Sequence, residues 1–207
     1  MSLDPLLLDI PERLDGERTV LLAPRAGLGA EMAVVITQSL AHLRPWMPWA
    51  QDAPSAESAE LVVRRMQADF IARRDLCFQI YARRPDGSAG RLLGGTGLHR
   101  IDWAVRKFEV GYWIRPEAAG QGHVSEAVRL LTVLAFGPLD ARRVEIRCDT
   151  RNTRSRAVAE RCGFALEGVL RCDSLGVDGR PRDTCVYAQV ARPASGAENS
   201  ATFTPTW

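Results

Sequence analysis

The chain has 207 residues, 46% of them hydrophobic and 25% charged, with a formal net charge of +2. That mix can fill the core of one domain and leaves room for a tail, while the small charge excess gives no electrostatic case for nucleic acid as a partner. The five cysteines Cys77, Cys148, Cys162, Cys172 and Cys185 are odd in number, widely spaced and without a C-x-x-C pair, so buried reduced thiols are expected and not a disulfide or metal framework. No apolar run approaches membrane-spanning length. Met1 to Ile10 carries Asp4 and Asp9 and lacks the basic start of a signal peptide. The expected location is cytoplasmic, with no membrane partner and no metal.

Residues 1–17 have little pattern and read as a lead-in. Arg18 to Ala23 reads as a first strand, stopped by Pro24. Gly29 to Leu43 reads as a helix, because Met32, Val35, Ile36, Ser39, Leu40 and Leu43 fall on one side; it stops before Pro45. Trp46 and Trp49 then sit in a proline-framed turn. Ser55 opens a second helix, Ala56 to Arg74. Leu76 to Arg83 is a strand, Pro85-Asp86-Gly87 a turn, and Arg91 to Arg100 the hairpin partner. Gly94, Gly95 and Gly97 in that partner predict a bulge or a close backbone contact. Phe108 to Ile114 follows as a strand rich in aromatic and β-branched residues.

Gly120-Gln121-Gly122 comes next, and then a helix with Val124, Ala127, Val128, Leu131, Leu134 and Ala135 on one face. A helix start after a glycine turn offers free N–H groups and partial positive charge, a ready site for phosphate. No Lys-Ser/Thr follows, so it is not a P-loop. There is no third glycine in an early parallel unit, so it is not the dinucleotide fingerprint. Arg143 to Cys148 reads as a strand, Arg154 to Arg161 as a short helix ended by Gly163, and Phe164 to Arg171 and Asp183 to Val190 as the last strands. Residues 191–207 read as a disordered tail. The order is β-α-α-β-β-β-α-β-α-β-β. The class is α/β (α+β), a mixed, mostly antiparallel sheet with helices on both faces and one domain over 18–190.

Glu109 to Ile114, Gly120 to Ala127, Arg143 to Cys148, Asn152 with Ser155, Gly163-Phe164 with Gly168, and Arg182-Asp183 occur in one order. In that combination the chain resembles the GCN5-related N-acetyltransferases, within them the ribosomal-protein N-terminal branch (RimJ/RimL type). The resemblance runs from about Arg18 to Val190 and is sharp after Leu98. It implies acetyl-CoA as co-substrate. Its pyrophosphate would be held at Ala119, Gly120, Gln121, Gly122, His123, Val124 and Ser125. Its pantetheine would pair with the splayed strand end at Trp113 and Ile114, near Asn152. Ala119 and Val124 depart from the family pattern.

The implied chemistry is attack of an amine on a thioester. It needs a base, a donor to the carbonyl oxygen and an acid for the thiolate. Many relatives carry a tyrosine acid where this chain has Ala159. Ser155 matches a serine proposed for that role in the RimL-like branch; it is equally a helix-start cap. Glu109 and Asp173 are the two carboxylates placed to be the base. Trp46, Trp49 and His99 border the implied acceptor site, and each has a plain packing role as its rival. Three readings follow: an N-acetyltransferase acting on a protein N-terminus or a small amine, an inert acyl-CoA-binding module, and a transferase for a larger acyl group such as succinyl. A monomer or a homodimer fits the sequence.

Overall fold

A computed structural model describes residues 4–191; all but Ala191 of the expected tail lies outside them. In chain order the elements are β1 Arg13–Asp15, β2 Thr19–Leu22, α1 Gly29–Leu43, α2 Ala56–Ile71, β3 Leu76–Arg83, β4 Ala89–Asp102, β5 Lys107–Ile114, α3 His123–Phe136, β6 Arg143–Asp149, α4 Thr153–Arg161, β7 Ala165–Leu175 and β8 Pro181–Val190. The expected order holds, with one added strand, β1. The sheet runs β1-β2-β3-β4-β5-β6-β8-β7. Neighbours are antiparallel except β5 and β6, which are parallel.

Alternation along the strands divides the apolar residues between two faces. Val20, Tyr81 and Leu92 pack with Met32, Val35, Ala59 and Val63 of α1 and α2. Leu21, Phe78, Ile80, Leu98 and Val110 pack with Val128, Leu131 and Leu134 of α3, and Ala159 of α4 joins that cluster. The helices therefore cover both faces. Burying one leucine such as Leu131 contributes about 1.5–3 kcal/mol, and the paired clusters hold β5 at the centre.

Three expectations need correction. Residues 1–17 are not a featureless lead-in. β1 pairs with β2, Ile10 is buried, and the carboxylate of Glu126 on α3 accepts N–H bonds from Glu17 (2.8 Å) and Arg18 (3.3 Å). Three residues of strand carry no readable period, so that pairing was invisible in the sequence. α2 ends at Ile71, not Arg74. Arg73 turns to φ +57°, and its guanidinium donates to the carbonyls of Phe70 (2.9 Å) and Leu8 (2.8 Å). Among the cysteines, Cys77, Cys148 and Cys185 are buried, but Cys162 is half-buried and Cys172 is exposed. Among the described residues, no helix is long and apolar enough to cross a membrane.

Candidate active site

β5 pairs with β6 only at Lys107, Phe108 and Glu109, but with β4 as far as Ile114. Beyond Glu109 the two parallel strands part. The edge of β5 from Val110 to Ile114 is thus left free of β6, as expected for the strand end at Trp113 and Ile114. A cleft of about 1000 Å³ opens there, lined by Trp113, Ile114, Ala119, Gly120, Gly122, His123, Val124, Ser125 and Asn152, among others. Gly120 and Gly122 both take left-handed backbone angles, φ +78° and +88°, which a β-carbon disfavours. Gly122 is the residue before α3, and no side chain caps that helix start. Its first N–H groups have no partner within the helix, and the dipole adds positive charge at the cleft.

Of the residues expected to hold the donor, Gln121 is the exception. It does not line the cleft, and its amide donates to the carbonyl of Glu117. His123 does line it and sits 3.1 Å from the hydroxyl of Thr19; burial holds its pKa below the ordinary value. The sequence reading missed the arginines around this turn. Arg18, Arg83, Arg129 and Arg161 line a second hollow that shares Gly122 and Ser125 with the cleft wall. Their spacing in sequence gave no sign of the cluster.

Ser155 lines the cleft from α4. It is not the cap of that helix. Asn152 is, its side-chain oxygen accepting the Ser155 N–H at 3.1 Å. The Ser155 hydroxyl is instead 2.9 Å from the Tyr112 hydroxyl, which also reaches the Ser155 carbonyl at 3.1 Å. Burial pushes the Tyr112 pKa up, so the phenol stays protonated at neutral pH. A tyrosine hydroxyl thus reaches the cleft from β5, while Ala159 on α4 is buried in the core.

On the other face of the sheet lies a cavity of about 420 Å³ between β3–β5 and the α1–α2 region. Its walls include Met32, Ile36, Trp49, Val62 and Met66, with Asp52, Cys77, His99 and Tyr112 as the charged or titratable members. Trp49 is half exposed and meets Trp113 edge-on, with ring centroids 5.8 Å apart. Trp46 lines the larger cleft and is absent from this cavity, so the two indoles do not form one acceptor wall. Met47, Tyr112 and Trp113 border both spaces.

Glu109 and Asp173 line neither. Glu109 faces Arg100 at 3.3 Å, and burial raises its pKa against the pull of Arg100 and Arg147. Asp173 on β7 lies 3.4 Å from Arg147. His99 holds the carboxylate of Asp75 at 2.8 Å through Nδ1. Cys77 donates to the same carboxylate at 3.0 Å. Asp75, Cys77 and His99 are the one group among the described residues compact enough to hold an ion, their donor atoms lying within 4.8 Å; here they satisfy one another by hydrogen bonds.

A split parallel pair, a glycine turn and a bare helix start on a mixed sheet define a GCN5-related acyltransferase. The chain belongs to that family and is an N-acetyltransferase: residues 20–165 match the acetyltransferase (GNAT) domain. YdaF of Bacillus subtilis (strain 168), provisionally named a ribosomal N-acetyltransferase, is 36% identical over 170 residues, 80% of this chain and 87% of that protein. The ribosomal-protein-serine acetyltransferase of Escherichia coli (strain K12) is 36% identical over 80 residues, 39% of this chain and 45% of that one. Among solved structures, the microcin C7 self immunity acetyltransferase MccE, in complex with acetyl-CoA and AMP, aligns with a TM-score of 0.76 at 25% identity, covering 85% of this chain and 94% of its own. RimL, the ribosomal L7/L12 alpha-N-protein acetyltransferase, in complex with coenzyme A, aligns with a TM-score of 0.77 at 23% identity over 87% of this chain and 97% of its own, a likeness of fold.

Proposed function

We propose that this N-acetyltransferase takes its acetyl group from acetyl-CoA and passes it to the α-amine of a protein N-terminus by direct attack in a ternary complex. The observation that carries this reading is the meeting of the two cavities at Met47, Tyr112 and Trp113. The donor would lie in the cleft, its pyrophosphate at Gly120 to Ser125 and its pantetheine along the free edge of β5. Anion binding there follows from the bare helix start. Arg18, Arg129 and Arg161 add positive charge beside it. In the neighbouring cavity, apolar walls suit the side chains of the first residues of a polypeptide. A polyamine or an amino sugar calls for several carboxylates, and Asp52 is the one carboxylate on that wall.

The thiolate that leaves needs a proton. Ser155, backed by the protonated Tyr112 hydroxyl at 2.9 Å, supplies a hydroxyl pair on the cleft wall for that step. The α1–α2 region, with Trp49, shapes what enters. A larger donor such as succinyl-CoA would need a cation near the acyl end; Arg154 lines the cleft next to Ser155, while the arginines named above cluster at the glycine turn.

The test is thiol release. Purified protein is mixed with acetyl-CoA, or succinyl-CoA, and a panel of N-terminal peptides and small amines. Acceptor-dependent release with peptides supports the reading. Tight CoA binding without turnover of any acceptor would leave an inert binder, and faster release with polyamines than with peptides would reassign the acceptor.

A further inference from the structure

We propose that His99 is the general base of the transfer and that Asp75 is its positioning residue; this rests on the reading of the apolar cavity as the acceptor site. The sequence points to Glu109 and Asp173 for this task, but neither lines a cavity. His99 does. Its side chain is about one-third exposed, so a substrate can reach it.

The orientation of the ring follows from its partners. Both carboxylate oxygens of Asp75 lie near Nδ1, at 2.8 and 3.0 Å. A proton on Nδ1 is held by that carboxylate, which leaves the lone pair of the neutral ring on Nε2. Asp75 is itself fixed by the thiol of Cys77 at 3.0 Å. On the opposite side, the ring occupies space that two side chains would otherwise fill. Gly97 and Gly111 face each other across β4 and β5. A β-carbon on Gly97 would stand 2.8 Å from His99 Cε1 and 3.0 Å from both Nε2 and the Cys77 Cα, and one on Gly111 2.8 Å from Cδ2 and 3.0 Å from Nε2. Neither glycine has a positive φ. Their own φ angles do not require glycine; the imidazole does at Gly111, and the imidazole together with the Cys77 backbone does at Gly97. The pair of glycines lets the ring lie along the sheet with Nε2 reaching past Glu109, toward the part of β5 that has left β6.

The proton balance closes. Nε2 takes one proton from the acceptor ammonium. The freed lone pair forms the C–N bond at the thioester carbonyl, and the C–S bond breaks. The thiolate gains a proton from the Ser155 and Tyr112 pair, the second proton leaves the nitrogen and restores that pair through water, and His99 returns its own to water. Groups that face His99 are Asp75 from the α2–β3 connection, Cys77 on β3, Glu109 on β5 beside Arg100, and Asp52 across the cavity.

Four variants test this. His99→Gln should lower kcat about 10²- to 10⁴-fold, the range for losing a positioned base, with unchanged CoA affinity. Its rate should then climb with pH as the free amine does, without the acid limb of the parent. His99→Ala should regain turnover with added imidazole, since Gly97 and Gly111 leave a slot for it. Asp75→Asn should shift the acid limb and lower kcat more than it raises the acceptor KM. Val62→Trp adds bulk at the cavity wall and should raise the acceptor KM with CoA affinity unchanged. An unchanged KM in Val62→Trp would sink the acceptor-site reading on which the proposal stands. A raised KM there, together with a parental pH profile in His99→Gln, would overturn the base alone. So would loss of the acid limb in Glu109→Gln but not in His99→Gln, or parental activity that is lost to a chelator and restored by zinc.

Discussion

Replacing Gly122 by alanine separates two things that one residue does. At φ +88° a β-carbon meets its own backbone, at a cost of about 1–2 kcal/mol. For a domain of this size that lowers Tm by about 2–4 °C per kcal/mol. The new methyl group would also stand at the cleft, where its nearest neighbour is the Arg18 guanidinium at 3.4 Å. There it competes with a phosphate oxygen for the start of α3. Losing one charge-assisted hydrogen bond costs about 1.5–3 kcal/mol, which is about 10- to 100-fold in Kd. Gly163 provides the control. It has nearly the same angle, φ +80°, does not line the cleft, and its β-carbon would meet only Gln189 Nε2 at 3.5 Å. Gly163→Ala should show the same loss in Tm and keep CoA affinity. Thermal unfolding and calorimetric titration with CoA measure the two quantities. Equal CoA affinity in the two variants would refute the assignment of the phosphate site to this turn.

Ser155→Ala and Tyr112→Phe should each lower kcat by about 10²-fold or more, with CoA affinity within twofold of the parent in equilibrium titrations. Unchanged turnover in Ser155→Ala would remove it as the acid. Glu109→Gln should gain stability over the parent as pH rises. Burial holds the folded carboxyl above its ordinary value, so the folded state binds the proton more tightly than the unfolded chain does. Stability from that proton is complete below the ordinary carboxylate range and is lost as pH rises through the folded pKa. Tm of parent and variant at pH 4 and pH 7 checks the sign. Trp49→Ala should raise the acceptor KM, measured by thiol release, while Tm falls by only a few degrees, since Trp49 is half exposed and its edge contact with Trp113 is worth about 0.5–1.5 kcal/mol.

What the sequence could and could not say follows from the range of the signals. α1 and β3 have the bounds read from periodicity and turn residues, because those signals lie inside the element. The glycine turn was legible for the same reason: strand, glycines and helix are consecutive. The pairs on which the proposed chemistry rests are not local. Tyr112 meets Ser155 across 43 residues and His99 meets Asp75 across 24. Periodicity says nothing about such distances; register does. Had the meander been laid out strand against strand, Gly97 would have faced Gly111, with His99 beside Glu109. Two glycines opposite each other in a central sheet, next to a histidine, are the trace of that ring in the sequence.

On the proposed reading, the pleat of β5 lets a single strand serve both substrates. Successive residues point to opposite faces. Tyr112 packs on the side of α3 and α4, where Ser155 stands. Trp113, with Gly111 and the His99 ring beside it, faces α1 and α2. On the proposed reading, the acid for the thiolate and the base for the amine therefore come from opposite faces. A continuous sheet would keep them apart, because its backbone would fill the space between. The separation of β5 from β6 after Glu109 removes that barrier at one place only. A thioester lying in the gap meets the Ser155 hydroxyl from one side and an amine held near Nε2 of His99 from the other. On that reading the reaction is confined to the point where the sheet opens, with the acceptor entering through the cavity bordered by Trp49.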